Sequence, residues 1–284
     1  MPRRAQIALT GAAASVVLLA LTWYVSHYTG FGKHADVSIL RGFADLTRPR
    51  LDRVTTFIAE LCDPSRFLFL AAVPVAVALI RRRPRVAVML AVVLLCANET
   101  TQLLKPLLAA PRLPGPWGLS YNASWPSGHA TAAMSLALCS VIAAPARRRP
   151  AVAAAMAAFA IAVSYSFLEL IWHYPSDVLG GFLVAGTWTL LGVAGLSIYE
   201  ARRVGAVSAS TRAPRASFSV GEALAPVALL VGLAVLLMGL ILLARPHEVI
   251  SYVREHGAFV VGASSIGVLG MMLASGLSLM LRRQ

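Results

Sequence analysis

The sequence predicts an all-α fold: a polytopic transmembrane helix bundle with a six-span core and a C-terminal two-span hairpin. Three observations carry that prediction. Of 284 residues, 58% are hydrophobic and only 13% are charged, where a soluble domain carries about 25% charge. Apolar runs of the length needed to cross roughly 30 Å of hydrocarbon recur along the chain. The basic residues gather in alternate connections between those runs, as the positive-inside rule expects. A soluble enzyme with a single anchor is excluded, because no long segment between the runs is polar enough to form a domain.

The runs fall at residues 7–25, 67–80, 86–104, 130–144, 151–168, 178–199, 223–243 and 258–281. The first follows Met1-Pro2-Arg3-Arg4 and ends in Trp23-Tyr24-Val25-Ser26-His27-Tyr28, with no small-x-small cleavage site, so it reads as an uncleaved span. Trp23, Tyr24 and Tyr28 suit an aromatic belt at the membrane surface. The second and fourth runs are short, and their flanks, Asp63-Pro64-Ser65-Arg66 and Trp125-Pro126-Ser127-Gly128-His129, are expected to carry the helices towards the interface. Between the first two runs, Leu51, Val54, Ile58 and Leu61 recur at helical spacing. That pattern fits an amphipathic helix, either on the membrane surface or packed against the bundle. Residues 201–219, rich in Ser, Ala, Arg and Pro, read as a flexible cytoplasmic linker between a 1–200 membrane unit and a 220–284 hairpin. In the last run, Gly262, Gly267, Gly270 and Gly276 fit close helix packing.

With a cytoplasmic N-terminus and eight crossings, the cytoplasmic connections hold 15 basic residues against Glu200 and Glu222, a net +13. The remaining connections are neutral in sum, so the formal charge of +13 lies on one side. This explains the basic character without a nucleic-acid partner and places both termini in the cytoplasm of a cell-membrane protein. Cys62, Cys96 and Cys139 stand singly and match neither a disulfide framework nor a metal-ligand spacing.

Three polar clusters stand at the extracytoplasmic ends of consecutive spans: Lys105 with Arg112, Trp125-Pro126-Ser127-Gly128-His129, and Trp172-His173-Tyr174-Pro175-Ser176-Asp177. Ionisable side chains at that depth point to a site. Their chemistry fits phosphoryl transfer through a covalent histidine. Lys105 and Arg112 offer positive charge for phosphate oxygens. Ser127 and Gly128, just before a helix, offer a hydroxyl and backbone amides at a positive helix end. One imidazole attacks phosphorus and the other protonates the departing oxygen. Asp177, four residues after His173, is placed to fix the ring's tautomer if a helix starts near Pro175. His27, His34, His247 and His256 read as interfacial residues.

These motifs resemble the type 2 phosphatidic acid phosphatases, a membrane superfamily with the signature Lys-x6-Arg-Pro, Pro-Ser-Gly-His and Ser-Arg-x5-His-x3-Asp. The chain has Lys105-x6-Arg112 followed by Leu113, an intact Pro126-Ser127-Gly128-His129, and Ser166-Phe167-x5-His173-x3-Asp177. The resemblance covers about residues 50–200. It implies a lipid phosphatase, acting on an isoprenoid or glycerolipid phosphate or diphosphate at the extracytoplasmic face, without metal or other cofactor. His173 would be the nucleophile, Asp177 its orienting partner and His129 the general acid. Lys105, Arg112, Ser127 and the Gly128 amide would hold the phosphoryl oxygens.

Phe167 stands where the family has an arginine that contacts phosphate. Three readings follow: another cation such as Arg245 or Arg254 compensates, the substrate or acceptor differs so that the protein is a phosphoryl transferase, or the chain is a degenerate member kept for lipid binding or assembly. Retention of both histidines and the aspartate favours activity. Glu99, inside the third run, must face protein or a water-filled cavity and is a candidate headgroup contact or interhelical hydrogen-bonding group. Glu169, close to Phe167, is a candidate of the same kind.

Overall fold

The computed structural model describes residues 1–47, 52–204 and 219–282, and among these every regular element is helical. In chain order they are α1 (Arg3–Tyr28), α2 (Gly30–Asp45), α3 (Asp52–Ala59), α4 (Pro64–Ile80), α5 (Pro84–Leu107), α6 (Gly128–Ala143), α7 (Arg149–Glu169), α8 (Pro175–Val204), α9 (Val220–Ala244), α10 (Pro246–Glu255) and α11 (Gly257–Met280). Each of the eight apolar runs lies in a helix. Six of the described helices are long and apolar enough to cross a membrane alone. The segments Asp52–Cys62 and Pro64–Ile80, bent by 61°, form a seventh crossing if counted as one. Helix α6, with 16 residues, is short by length alone, yet its start lies beside Lys105 and its last carbonyls, of Ile142 and Ala143, accept from Arg83 and Arg81 just before α5, so it runs the length of that helix.

The shortness of α6 has a packing reason. From Ala130 to Ala144 every residue but Ser140 is buried, so α6 is the inner helix of the bundle and is apolar all round. It packs against α4, α5, α7, α8 and α11. Ala130, Ala133 and Ala137 are fully buried and let those neighbours approach closely. The flank expected to extend it does so only from Gly128, with Ser127 as its N-cap. The first helix uses the same device: Ala5, Ala8, Ala12 and Ser15 form a small-residue face, and α1 packs against α8.

The C-terminal helices divide. Helix α11 enters the core, where Ile266, Ala274, Leu277 and Leu281 are buried. Tyr165 Oη donates to the Ala263 carbonyl at 2.6 Å, and Arg149 Nη1 donates to the Leu281 carbonyl at 2.7 Å. Helix α9 has no buried residue in its most apolar 18-residue window and borders α7 and α11 from outside. A Ser219–Glu222 capping box starts it. Residues 201–204, expected in the linker, continue α8, and residues 205–218 lie outside the described residues.

Helix α2 was not foreseen. It carries Val37, Leu40 and Phe43 into the core between charged and glycine positions that break up the apolar pattern. The amphipathic helix expected at 51–61 forms as α3 and a 3-10 turn and packs on α7, with Thr55 and Ala59 as its buried positions and Val54 exposed. Leu51 lies outside the described residues.

A methyl group added at Gly262 would stand 2.5 Å from Ile39 of α2. Overpacking there should cost about 1–3 kcal/mol. Gly262→Leu is therefore expected to lower the unfolding midpoint in detergent, whereas Val268→Leu, on the exposed side of α11, should leave it unchanged.

Candidate active site

The three polar clusters meet at one end of the bundle. Helix α8 begins at Pro175, so Asp177 sits in its first turn, fully buried, and reaches back to the loop before it. His173 Nδ1 donates to Asp177 Oδ2 at 3.2 Å, and the Tyr174 amide donates to the same oxygen at 3.0 Å. This fixes the tautomer that leaves His173 Nε2 free of a proton and available for attack.

Helix α6 starts directly beside it. The Ser127 amide donates to the Asp177 carbonyl at 2.9 Å, and Ser127 Oγ accepts from the Ala130 amide at 3.3 Å. The close approach requires glycine on α8. A methyl group at Gly181 would stand 2.7 Å from the Ser127 carbonyl, and one at Gly180 2.8 Å from the Trp125 indole. His129, in the first turn of α6, faces His173 with ring centroids 6.2 Å apart. Its Nε2 is 2.8 Å from Asp63 Oδ1, so each histidine is paired with a carboxylate. Lys105 closes the group: a methyl group on Gly128 would lie 3.6 Å from its Nζ and 3.2 Å from Gln102 Nε2.

Arg112 is placed differently. It is buried and points into the protein, with Nη2 donating to Asp36 Oδ2 at 2.7 Å and to Ser176 Oγ at 3.1 Å. Nη1 donates to His27 Nε2 at 2.8 Å and lies 3.6 Å from Asp177 Oδ1. The guanidinium stacks 4.1 Å from the Tyr174 ring centroid. Ser176 donates to Asp36 through both its amide and its hydroxyl, at 2.9 and 2.6 Å. Burial pushes the Asp36 carboxyl up to about 6, against the opposing pull of Arg112 and Ser176. His27 is thus no interfacial residue but a buried member of this network. Because its Nε2 accepts from Arg112, its Nδ1 carries the proton and lies 3.0 Å from the Trp23 carbonyl.

A cavity of about 760 Å³ opens between α4, α5 and α6 and ends at Lys105, Gly128 and His129. Glu99 and Gln102 line it, with Phe67, Leu68 and Val75 opposite. Phe167 is fully buried behind the histidines, its ring centroid 5.3 Å from that of His173 and 5.9 Å from that of His129. Neither Arg245 nor Arg254 joins the site. Both are exposed, and Arg245 pairs with Glu248 at 3.1 Å. Glu169 ends α7, where its carbonyl accepts from Thr47, and it does not line the cavity. Among the described residues no group of three or more His, Cys, Asp or Glu side chains is arranged to hold a metal ion.

Asp36, His27 and Asp63 escape a reading by motif. They come from the chain before the motifs, and only the packing of α1, α2 and α4 brings them to it. The one local signal is Asp63-Pro64, a capping residue followed by a favoured first-turn proline.

A bundle with six described helices long and apolar enough to cross a membrane defines a polytopic membrane protein, and two histidine–carboxylate pairs stand at the end of its apolar cavity. Residues 85–198, from α5 through most of α8, match the sequence profile of the PAP2 superfamily. The fold is similar to the crystal structure of the first transmembrane PAP2-type phosphatidylglycerolphosphate phosphatase from Bacillus subtilis, with a TM-score of 0.56 and 21% identity over 67% of this chain and 96% of that one. A search of curated proteins returned no match.

The Arg112 network predicts a stability effect. Removing one partner of a buried ion pair costs about 3–5 kcal/mol, so Asp36→Ala should lower the unfolding midpoint sharply. Asp36→Asn should cost less, because the carboxamide oxygen still accepts from Ser176.

Proposed function

We propose that the protein hydrolyses the phosphate or diphosphate of a membrane lipid, isoprenoid or glycerolipid, at the extracytoplasmic face through a phosphohistidine. The observation that carries this reading is the facing pair of histidines, each held by a carboxylate, at the Lys105 end of the 760 Å³ cavity. The match of residues 85–198 to the PAP2 superfamily profile and the fold similarity to a PAP2-type phosphatase support it.

In the first step His173 Nε2 attacks phosphorus, the P–O bond to the lipid breaks, and the P–N bond forms. His129 gives its proton to the departing oxygen, so the lipid leaves as the alcohol, or as the monophosphate where a diphosphate is cleaved. In the second step water attacks the phosphohistidine, His129 takes its proton, and the P–N bond breaks to release phosphate. Asp63 bonds the same His129 nitrogen that faces the leaving group in this scheme, so it favours the protonated ring and gives way as the leaving oxygen arrives. Lys105 and the first-turn amides of Gly128 and His129, which the helix leaves unpaired, hold the phosphoryl oxygens. Arg112 acts one step back, as a positioning residue that holds Asp177.

Purified protein in right-side-out vesicles should release phosphate from lipid phosphates to the outside, with no metal added. His173→Ala should lose about a thousandfold or more while still folding, as expected for loss of a nucleophile. A folded, fully active His173→Ala protein would falsify the mechanism. A lipid-binding or assembly role without catalysis predicts no turnover by the wild type.

The phenyl ring of Phe167 keeps the space behind both histidines dry, which strengthens the remaining ion contacts. Phe167→Arg is expected to change kcat for phosphate release or the preferred substrate, since it restores a charged donor worth about 10²–10³ in rate at such centres. Arg245→Ala and Arg254→Ala, both away from the cavity, should stay within the scatter of surface substitutions. Inertness of the wild type and all three variants across prenyl and glyceride phosphates would favour the degenerate-member reading.

A further inference from the structure

The reaction proposed above uses polar groups only at the end of the cavity, yet polar lining continues well into it. The α5 positions that line it are 91, 94, 95, 98, 99, 102 and 105, a single helical face. The inner part of that face is Ala91, Leu94 and Leu95, and the outer part is Asn98, Glu99, Gln102 and Lys105. The opposing lining from α4 is apolar from Phe67 to Val75. At 1.5 Å per residue, Glu99 lies about 9 Å further along the cavity than Lys105. The Asn98 amide donates to the Leu94 carbonyl of its own helix at 2.8 Å. Among the described residues the side chains of Glu99 and Gln102 have no hydrogen-bond or ion-pair partner. A carboxyl at that depth facing only hydrocarbon carries a substantial desolvation cost.

We propose that Glu99, assisted by Gln102, is a specificity determinant that accepts a hydrogen bond from a hydroxyl or amide N–H on the backbone of the lipid phosphate. The inference rests on the lipid-phosphatase reading and narrows its substrate class. A prenyl phosphate becomes hydrocarbon at its first carbon and would lay methyl and methylene groups against Glu99. A diacylglycerol phosphate offers ester oxygens, which accept but cannot donate. A lipid phosphate with a free hydroxyl or an amide next to the phosphate-bearing carbons matches the polar stretch, and its single chain fits the apolar inner part.

The test compares 1-oleoyl-lysophosphatidate, its 2-deoxy counterpart and farnesyl phosphate on the purified full-length protein. For the wild type, kcat/KM should favour the hydroxylated lipid over both others by at least about tenfold, the scale of one hydrogen bond to a carboxylate. Glu99→Leu should bring the ratio close to one by lowering the hydroxylated lipid alone, and Glu99→Gln, whose carbonyl still accepts, should keep an intermediate ratio. A wild-type ratio near one, or a ratio that Glu99→Leu leaves intact, overturns the proposal. Equilibrium binding of the same three lipids to His173→Ala protein, with and without Glu99→Leu, separates the two readings. Loss of the binding preference on Glu99→Leu upholds the specificity role even where no lipid is turned over, which would sink only the phosphatase reading. Absence of any binding preference sinks the specificity role. Where Glu99→Leu fails to fold, the Glu99→Gln ratio decides: an unchanged value refutes the proposal.

Discussion

The site depends on one buried carboxylate. Asp177 has no exposed surface, and a charge in that position persists only if its surroundings answer it. Two chain segments do so. The loop before α8 gives the His173 ring and the Tyr174 amide, and the connection after α5 gives Arg112. The start of α6 is tied to the same residue through its backbone, by the Ser127 amide on the Asp177 carbonyl. The meeting of the three clusters is thus a consequence of satisfying one residue. Arg112 in turn faces two carboxylates, and Asp36 is held by Ser176, one residue before Asp177. The network closes on itself, so α2 is tied to the site by charge through Asp36 and α1 by a hydrogen bond through His27.

Much of this was legible in the sequence. Apolar runs located the helices because hydrocarbon thickness dictates their length, and the His173–Asp177 spacing indicated contact once a helix start was placed at Pro175. Other features depend on what lies across the bundle. Nothing local in Asp36 distinguishes it from a solvated loop acid, and a helical α2 is obscured by Gly30, Gly32 and Gly42. His27 looked interfacial because it ends an apolar run, yet α2 and the Arg112 connection fold over it. The composition of α6 suits lipid, but an inner helix surrounded by other helices has the same composition, so its central place in the bundle is not legible from the run alone. The burial of α11 and the exposure of α9 arise from side-chain fit, as at Gly262 against Ile39.

The position of Arg112 changes how positive charge is distributed at the site. A motif reading gives two cations to the phosphate, Lys105 and Arg112, and counts a third as lost at Phe167. In the structure Arg112 is engaged by Asp36, Asp177, Ser176 and His27, and the cationic side chain that lines the cavity beside His129 is Lys105. Exposed arginines at the α9–α10 end do not make up the difference. For an anion in the cavity this leaves one lysine, the amide dipoles at the start of α6 and the N–H that His129 can donate. Such a set suits a phosphoryl group that carries little charge or is neutralised in part by protonation of its leaving oxygen. In the proposed reaction that gives His129 the task of delivering the proton, with Asp63 as its hydrogen-bond partner. A chain with phenylalanine at position 167 and with Arg112 committed to its interior would therefore rely on proton transfer more than on fixed cations. The apolar wall at Phe167 is consistent with that reliance, because it adds no fixed charge behind either histidine.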